Sequence, residues 1–152
     1  MPSNKEYLNS IEEMAEAVGF KIYAYLTWHY SDTIYTGRTK KGKQQILIMS
    51  KGTARNLASK NGYAYKTTEM LEDIHIPLKT KEKKHQAEKP VELYEYLIKN
   101  LSKEGEVILD QFGGSCNMML AATNLNRSSV VYEIDEKFVK KAVDRLKLKQ
   151  FL

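Results

Sequence analysis

The chain has 152 residues, of which 42% are hydrophobic, and this is enough for one ordinary domain with a buried core. Its formal net charge of +5 suits a polyanionic partner such as nucleic acid, although the same charge also keeps a protein soluble. A single cysteine excludes an internal disulfide framework, and the histidines show no paired spacing of metal ligands. The sequence has no apolar run long enough to span a bilayer and no signal-peptide core, so we expect a cytoplasmic protein without a metal site.

The first part of the chain predicts a helix followed by a β-hairpin. Apolar residues recur at helical spacing over residues 4–18, and Gly19 ends the pattern. Residues 20–30 and 44–50 are rich in branched and aromatic side chains, which is typical of strands. Between them, residues 37–43 carry turn residues and basic charge, which indicates a long connection between the two strands.

Two groups of side chains in this part are candidates for contact with nucleic acid. Trp28, Tyr23 and Tyr25 either pack within the sheet or stack on bases, and their strand context favours packing. Basic residues occur in the hairpin connection and again in the irregular stretch over residues 52–88, where they either contact phosphate groups or form a solvated surface. The candidate nucleic-acid-binding residues are Arg38, Lys40, Lys41, Lys43, Lys79, Lys81, Lys83 and Lys84.

The last part of the chain predicts a helix followed by a β-α-β-α arrangement. Pro90 suits the first position of a helix, and apolar residues follow it at helical spacing. Residues 107–109 and 130–132 are short apolar runs that read as buried strands, with an amphipathic helix between them. This is a βαβ unit with two parallel strands. Residues 136–148 then predict a basic amphipathic helix that packs on this unit.

The turn after the first of these strands, together with the end of the second, predicts a ligand site. Ligands of open α/β sheets bind at the carboxyl ends of the strands. Gly113 and Gly114 permit a close approach of backbone to a ligand, and the helix N-terminus near Ser115 faces the same point. Glu133 is placed to accept hydrogen bonds from a ribose diol. A plain structural turn remains the alternative, because glycine turns also join strands to helices without binding anything.

The order of several short motifs resembles a known family. The chain carries Q-A-E-K-P-V-E-L at residues 86–93, V-I-L-D-Q-F-G-G-S at residues 107–115 and Y-E-I-D at residues 132–135. This set resembles the C-terminal part of the DNA amino-methyltransferases that modify adenine or cytosine, in the subgroup whose cofactor motifs follow the catalytic motif. In that family, K-P-x-x-L precedes D-P-F-x-G-S-G, and an acidic residue ends the next strand. Shorter matches, including L-T-W and I-L-I-M-S-K-G, extend the resemblance towards the N-terminus.

The resemblance implies an α/β protein with a partial Rossmann-like methyltransferase fold, made of the βαβ unit plus the β-hairpin. We expect one domain over residues 1–152, with the helix and hairpin at 4–51, a short basic loop region at 52–88 and the cofactor-binding unit at 89–148. The implied cofactor is S-adenosylmethionine and the implied partner is DNA. The implied cofactor-binding residues are Lys89, Pro90, Asp110, Phe112, Gly113, Gly114, Ser115 and Glu133.

Two residues in the glycine turn depart from the family pattern. Gln111 stands where the family has proline, and Cys116 stands where it has the last glycine. Glycine at such a position serves close backbone approach or an unusual φ angle, so a side chain at Cys116 is expected to crowd the methionine end of the cofactor. The sequence leaves open whether the cofactor still binds. We interpret Cys116 as a small buried residue rather than a nucleophile, because no neighbouring base in the sequence would activate its thiol.

The catalytic motif of the family, D/N/S-P-P-Y/F/W, does not occur in the chain, since Pro2, Pro77 and Pro90 are each isolated. That motif supplies a polar loop and a stacking aromatic residue to the flipped base. We therefore nominate no catalytic residue and expect the chain to be inactive alone. An unpaired apolar strand edge is costly, so we expect a homo-oligomer or a second polypeptide to complete the fold, with a rearrangement within the chain as the alternative. The alternatives are a non-catalytic DNA- or protein-binding module and a folded remnant without function.

Overall fold

The computed structural model describes residues 4–30, 42–52, 72–78 and 88–146. The chain divides into two compact units, Met1–His75 and Ile76–Leu152. The expectation of one domain over residues 1–152, with its three subregions, stays a prediction. Within the described ranges, no helix is both long enough and apolar enough to cross a membrane.

The described residues of the first unit form a helix and a three-stranded sheet. Helix α1 spans Asn4–Ala17, and the strands are β1 Phe20–His29, β2 Lys43–Lys51 and β3 Asp73–His75. The sheet order is β2-β1-β3, with β1 antiparallel to β2 and parallel to β3. The predicted helix and hairpin are therefore confirmed, and each predicted end lies within one residue of the observed end.

The core of the first unit lies on one face of β1. Leu26 and Trp28 alternate along the strand and are almost completely buried, with Trp28 only 2% exposed. The packing interpretation of Trp28 is confirmed, because a buried ring is not available to stack on a base. Tyr23 and Tyr25 lie on the opposite face and are exposed. The Tyr25 hydroxyl donates a hydrogen bond of 2.9 Å to Glu12 Oε1 of α1.

The second unit contains the predicted βαβ arrangement. Its described elements are α2 Val91–Leu101, β4 Val107–Asp110, α3 Asn117–Asn124, β5 Ser128–Val131 and α4 Glu136–Leu146. The strands β4 and β5 are parallel, and Val107 pairs with Ser128. Two details differ from the sequence predictions. Pro90 is the N-cap of α2 rather than its first helical residue, with an extended ψ of 149°, and β5 begins and ends earlier than the apolar run at 130–132.

Helices α2 and α3 pack on one face of the β4–β5 sheet. The Ala121 and Ala122 side chains are completely buried, and their small size permits close contact between α3 and its neighbours. Alternation along the strands directs Ile108 and Val131 towards this cluster. The core is made by buried residues of α2 and α3 and by partly buried residues around them: Val91, Tyr94, Ile98, Ile108, Met118, Ala121, Ala122, Leu125 and Val131.

The opposite face of this sheet is exposed. Val107 is 64% exposed and Leu109 is 56% exposed, and Val130 and Tyr132 are exposed as well. The prediction that both strands are buried was therefore wrong for this face. The alternation of side chains along a strand places these residues on the side away from Ile108 and Val131, so the core of α2 and α3 does not cover them.

We expect the change Trp28→Ala to lower the free energy of unfolding by about 3–5 kcal/mol, because it removes a buried aromatic side chain and leaves a cavity. The matched control is Tyr23→Ala in the same strand, where a side chain on the exposed face is removed and the loss should be below about 1 kcal/mol. Chemical denaturation followed by circular dichroism measures both values. Equal losses in the two variants would contradict the burial of Trp28.

Candidate cofactor site

The turn between β4 and α3 is attached to the end of β5 by backbone hydrogen bonds. The Gly113 N–H donates to the Tyr132 carbonyl at 2.8 Å, and the Tyr132 N–H donates to the Asp110 carbonyl at 2.8 Å. A Cβ atom added at Gly113 would lie 2.3 Å from Val131 Cγ1. No side chain fits in that space, so glycine is required at Gly113 for the turn to lie against β5.

The carboxylate of Glu133 links the glycine turn after β4 to the loop that follows β5. Its Oε2 accepts a hydrogen bond of 2.6 Å from the Gly114 N–H, and its Oε1 accepts one of 2.9 Å from the Asp135 N–H. On the turn itself, Asp110 Oδ1 accepts a hydrogen bond of 3.0 Å from the Phe112 N–H. A carboxylate has about four acceptor positions, so these backbone contacts are compatible with further bonds from a diol.

Cys116 is the N-cap of α3 and has a left-handed backbone conformation, with φ of 58° and ψ of 29°. Its N–H donates to the Gly113 carbonyl at 2.7 Å. The residue is buried, as predicted. The conformation explains why a glycine suits this position, since a residue with a Cβ atom pays roughly 1–2 kcal/mol for left-handed backbone. Cys116 therefore keeps the shape of the glycine turn at an energetic cost.

The segment before α2 is held beside the N-terminus of α3. The buried Asn117 side chain donates from Nδ2 to Glu88 Oε1 at 2.9 Å and to the Lys89 carbonyl at 2.7 Å. Lys89 and Pro90 therefore lie next to the glycine turn. Neither Asn117 nor Glu88 was predicted from the sequence, although a polar residue at the start of an otherwise apolar helix is a signal for Asn117.

Tyr94 is a further residue of this region, although its helical spacing predicted only a position on the apolar face of α2. Burial raises the pKa of Tyr94 to about 12, and the negative charges of Asp110 and Glu88 add to the effect. Its ring packs against the core of α2 and α3. The hydroxyl therefore stays protonated in this acidic neighbourhood at neutral pH.

Two large apolar side chains near the strand ends are exposed to solvent. Phe112, after β4, is 88% exposed, and Ile134, next to Glu133, is fully exposed. Single exposed apolar side chains are common on protein surfaces, but these two lie beside the strand ends at which ligands of such sheets bind. Phe112 was among the predicted site residues, whereas Ile134 was missed because a single apolar residue between two acidic ones gives no periodic signal.

The structure brings the predicted cofactor residues together at the glycine turn and the start of α3. Glu133 is hydrogen-bonded to the turn, and the segment at 88–89 is hydrogen-bonded to Asn117 of α3. Their role in binding stays a prediction. Those residues are Lys89, Pro90, Asp110, Phe112, Gly113, Gly114, Ser115 and Glu133.

Of the predicted nucleic-acid-binding residues, Lys43 is the one that the described ranges include. It is exposed and is the first residue of β2. The remaining seven lie outside the residues that the structure describes, namely Arg38, Lys40, Lys41, Lys79, Lys81, Lys83 and Lys84.

The fold is that of the S-adenosylmethionine-dependent methyltransferases. The structure of M1.HpyAVI solved with its SAM ligand matches 97% of this chain and 72% of its own length, with a TM-score of 0.73 and 21% identity. The PvuII cytosine-N4-specific DNA methyltransferase matches 96% of this chain and 58% of its own length, with a TM-score of 0.71 and 17% identity. The predicted fold class is confirmed.

The chain belongs to the DNA methylase family of N6 and N4 methyltransferases, whose sequence model matches residues 3–144. The type II methyltransferase M.HpaI of Haemophilus parainfluenzae is 27% identical over 160 residues, which cover 93% of this chain and 50% of M.HpaI. M.HindIII of Haemophilus influenzae is 42% identical over 62 residues, or 41% of this chain and 20% of that protein. The matches thus span half or less of the length of these relatives.

The Tyr94 hydroxyl should make stability depend on alkaline pH. Its folded pKa of about 12 exceeds the ordinary value of 10.0, so the unfolded chain loses this proton first. The stabilising contribution is complete below about pH 10 and is lost as the pH rises towards 12. The free energy of unfolding of Tyr94→Phe should therefore rise by about 1–2 kcal/mol relative to that of the unsubstituted chain over this window. Urea denaturation at several pH values tests this prediction, with Tyr96→Phe on the same helix as the control. If the free energy of unfolding changed equally with pH in the two variants, the prediction would be contradicted.

Proposed function

We propose that this chain is the S-adenosylmethionine-binding half of a DNA amino-methyltransferase, of the class that modifies adenine or cytosine. The observation that carries the proposal is the contact between Glu133 and the Gly114 N–H at 2.6 Å. This contact assembles a glycine turn, an acidic strand end and a helix N-terminus at one point, in a chain that belongs to the DNA methylase family.

The residues at this point suit the parts of the cofactor. Glu133 would accept hydrogen bonds from the ribose hydroxyls, and Phe112 and Ile134 would offer apolar contact to the adenine ring. The carboxylates of Asp110 and Glu88 lie near Tyr94, as their effect on its pKa indicates, and give the region negative charge. Negative charge favours the amino group and the sulfonium centre of S-adenosylmethionine, both of which are cationic. When bound, the cofactor supplies an activated methyl group.

The contribution of this chain to the reaction is binding and orientation of the methyl donor. The chain contains no adjacent prolines, so it lacks the D-P-P-Y type of motif on which base positioning depends in the family that it resembles. We nominate no catalytic residue within the chain. Methyl transfer therefore requires a catalytic half, and the chain alone should bind the cofactor without modifying DNA.

DNA is the proposed substrate of the complete enzyme. The relatives M.HpaI and M.HindIII are type II methyltransferases, and the PvuII protein is a DNA methyltransferase. The net charge of +5 and the exposed Lys43 are compatible with contact to a phosphate backbone. Such contacts position a protein on DNA without specifying the base.

Calorimetric titration with S-adenosylmethionine tests the proposal. We expect saturable binding, and we expect Glu133→Ala to weaken it at least about tenfold, because hydrogen bonds to a charged group are lost. Glu133→Gln keeps the size of the side chain and should weaken binding less. The matched control is Glu136→Ala, which removes the same charge from an exposed position in the first turn of α4. Absence of binding at millimolar cofactor would overturn the proposal and leave the glycine turn with a structural role.

Cys116→Gly should raise the affinity for S-adenosylmethionine severalfold, because it removes a side chain beside the turn and relieves the left-handed backbone. Cys116→Ala is the matched control, since it keeps a Cβ atom and the backbone strain while losing the thiol. Titration of both variants, with thermal unfolding in parallel, separates the effect on the site from the effect on stability. An affinity of Cys116→Gly no higher than that of the unsubstituted chain would contradict the prediction, and equal affinities of Cys116→Ala and the unsubstituted chain would show that the thiol does not crowd the cofactor.

A further inference from the structure

The three strands of the first unit bring ionisable side chains together at one end of their sheet. His29, the last residue of β1, pairs with Lys43 of β2 and with His75 of β3. Paired residues of neighbouring strands point to the same face, so these side chains form a line across the sheet. Asp73 lies on the same face, two residues before His75. We call Lys43, His29, His75 and Asp73 the histidine row.

The members of the histidine row are in contact with one another. His29 Nε2 and Asp73 Oδ1 are 2.8 Å apart, which is a hydrogen-bond distance. The rings of His29 and His75 are stacked, with their centroids 4.5 Å apart and an angle of 6° between their planes. Solvent reaches the row, because the His29 side chain is 27% exposed and the other three members are exposed.

The face that carries the histidine row is polar at this end of the sheet. Leu26 and Trp28 point to the opposite face, where they are buried. Beside the row, Gln45 Nε2 donates a hydrogen bond of 3.3 Å to Thr27 Oγ1. The row is therefore part of a hydrogen-bonding surface and lies away from the core of the first unit.

The charged groups beside His29 in the described ranges are the other members of the row. Glu72 precedes β3 and binds β1 through its backbone carbonyl. Helix α1 also packs on β1, and the charges of its Glu12 and Glu16 act on Tyr25. Tyr25 lies four residues before His29 on β1, which is about 13 Å along the strand.

Protonation of the two histidines changes the charge of the row. The charges of Lys43 and Asp73 cancel when both histidines are neutral, and each protonated histidine then adds one positive charge. Histidine is the side chain that ordinarily changes its charge between about pH 5 and pH 8. Asp73 stabilises a positive charge on His29, whereas two positive rings 4.5 Å apart repel each other. A bound anion offsets this repulsion, so anion binding and proton uptake favour each other.

A phosphodiester backbone is the anion that suits this surface. Small-molecule sites are concave, whereas the row lies on an exposed sheet face that an extended polyanion can cross. Basic residues adjoin the row in the sequence, since Lys40 and Lys41 come shortly before Lys43 and Lys79 comes shortly after His75. Repeated positive charge of this kind favours a polyanion over a single small anion.

We propose that the histidine row binds the phosphate backbone of DNA, and that proton uptake by His29 and His75 strengthens this contact. The inference rests on the proposed function for the choice of DNA as the polyanion. Phosphate contacts position a protein without reading the bases. The dependence on pH should therefore be the same for DNA duplexes of unrelated sequence.

Fluorescence anisotropy of a labelled short DNA duplex, titrated with the full chain at pH 6 and pH 8, tests the proposal. We expect the dissociation constant to be at least about tenfold lower at pH 6, because two more positive charges are then available. The slope of log affinity against log salt concentration should be steeper by about 1–2 at pH 6, because more counterions are released. Equal affinities and slopes at the two pH values, or no DNA binding at low salt, would overturn the proposal.

Variants assign the pH dependence to the row. The double variant His29→Gln/His75→Gln should lower the affinity at pH 6 to its value at pH 8. Lys43→Gln is the matched control, because lysine stays charged over this range, so its loss should weaken binding at both pH values and preserve the dependence on pH. His75→Lys fixes a positive charge in the row and should raise the affinity at pH 8.

Thermal unfolding of each variant separates loss of binding from loss of the fold. If the double variant unfolds, the exposed His75→Gln carries the test, and it should lower the affinity at pH 6 severalfold. His85→Gln replaces the remaining histidine of the sequence and should change nothing. A dependence on pH that survives in the double variant, or that is lost in His85→Gln alone, would overturn the proposal.

Titration of the same samples with S-adenosylmethionine separates this inference from the proposed function. The row belongs to the first unit and the candidate cofactor site to the second, so these substitutions should leave the cofactor affinity unchanged. Cofactor binding together with DNA binding that does not depend on pH would refute the role of the row alone. DNA binding that depends on the row and on pH, without cofactor binding, would support the row and refute the cofactor-binding role.

Discussion

The missing side chain at Gly113 is the constraint on which the cofactor site depends. A Cβ atom there would lie 2.3 Å from Val131 Cγ1, so the turn after β4 approaches the end of β5 only because this residue is glycine. That approach allows the Gly113 N–H to reach the Tyr132 carbonyl and the Gly114 N–H to reach Glu133. The same turn sets where α3 begins, and Asn117 at its start holds Glu88 and Lys89. The absence of a Cβ atom at Gly113 therefore allows the turn to reach the end of β5, and with it the start of α3 and the segment at 88–89 take their positions.

Much of this arrangement could be predicted from the sequence because its causes are local. The apolar run before Asp110, the glycine pair and the helical spacing after it are short-range patterns, and they were sufficient for the βαβ unit. The hairpin of β1 and β2 followed from branched and aromatic residues in the same way. Once the strand ends were known, Glu133 was placed beside the turn by the rule that ligands bind at the carboxyl ends of parallel strands.

The features that the sequence did not reveal depend on contacts between distant segments. Asn117 and Glu88 are 29 residues apart, and their hydrogen bond arises only when α3 and the segment before α2 meet. The exposure of Leu109 was missed because a continuous apolar run predicts burial on both faces, whereas α2 and α3 form a core on one face. The acidic neighbourhood of Tyr94 likewise requires the folded positions of Asp110 and Glu88. Local patterns define the elements, and their assembly defines the site.

The left-handed backbone at Cys116 also has an evolutionary consequence. The conformation, with φ of 58°, is one that glycine adopts without strain, so the fold around this position is already shaped for glycine. Cysteine codons become glycine codons through a single base change. Glycine at this position is therefore one mutational step away, and no rearrangement of the backbone has to precede it. The turn can acquire the residue that its backbone conformation favours by one base change.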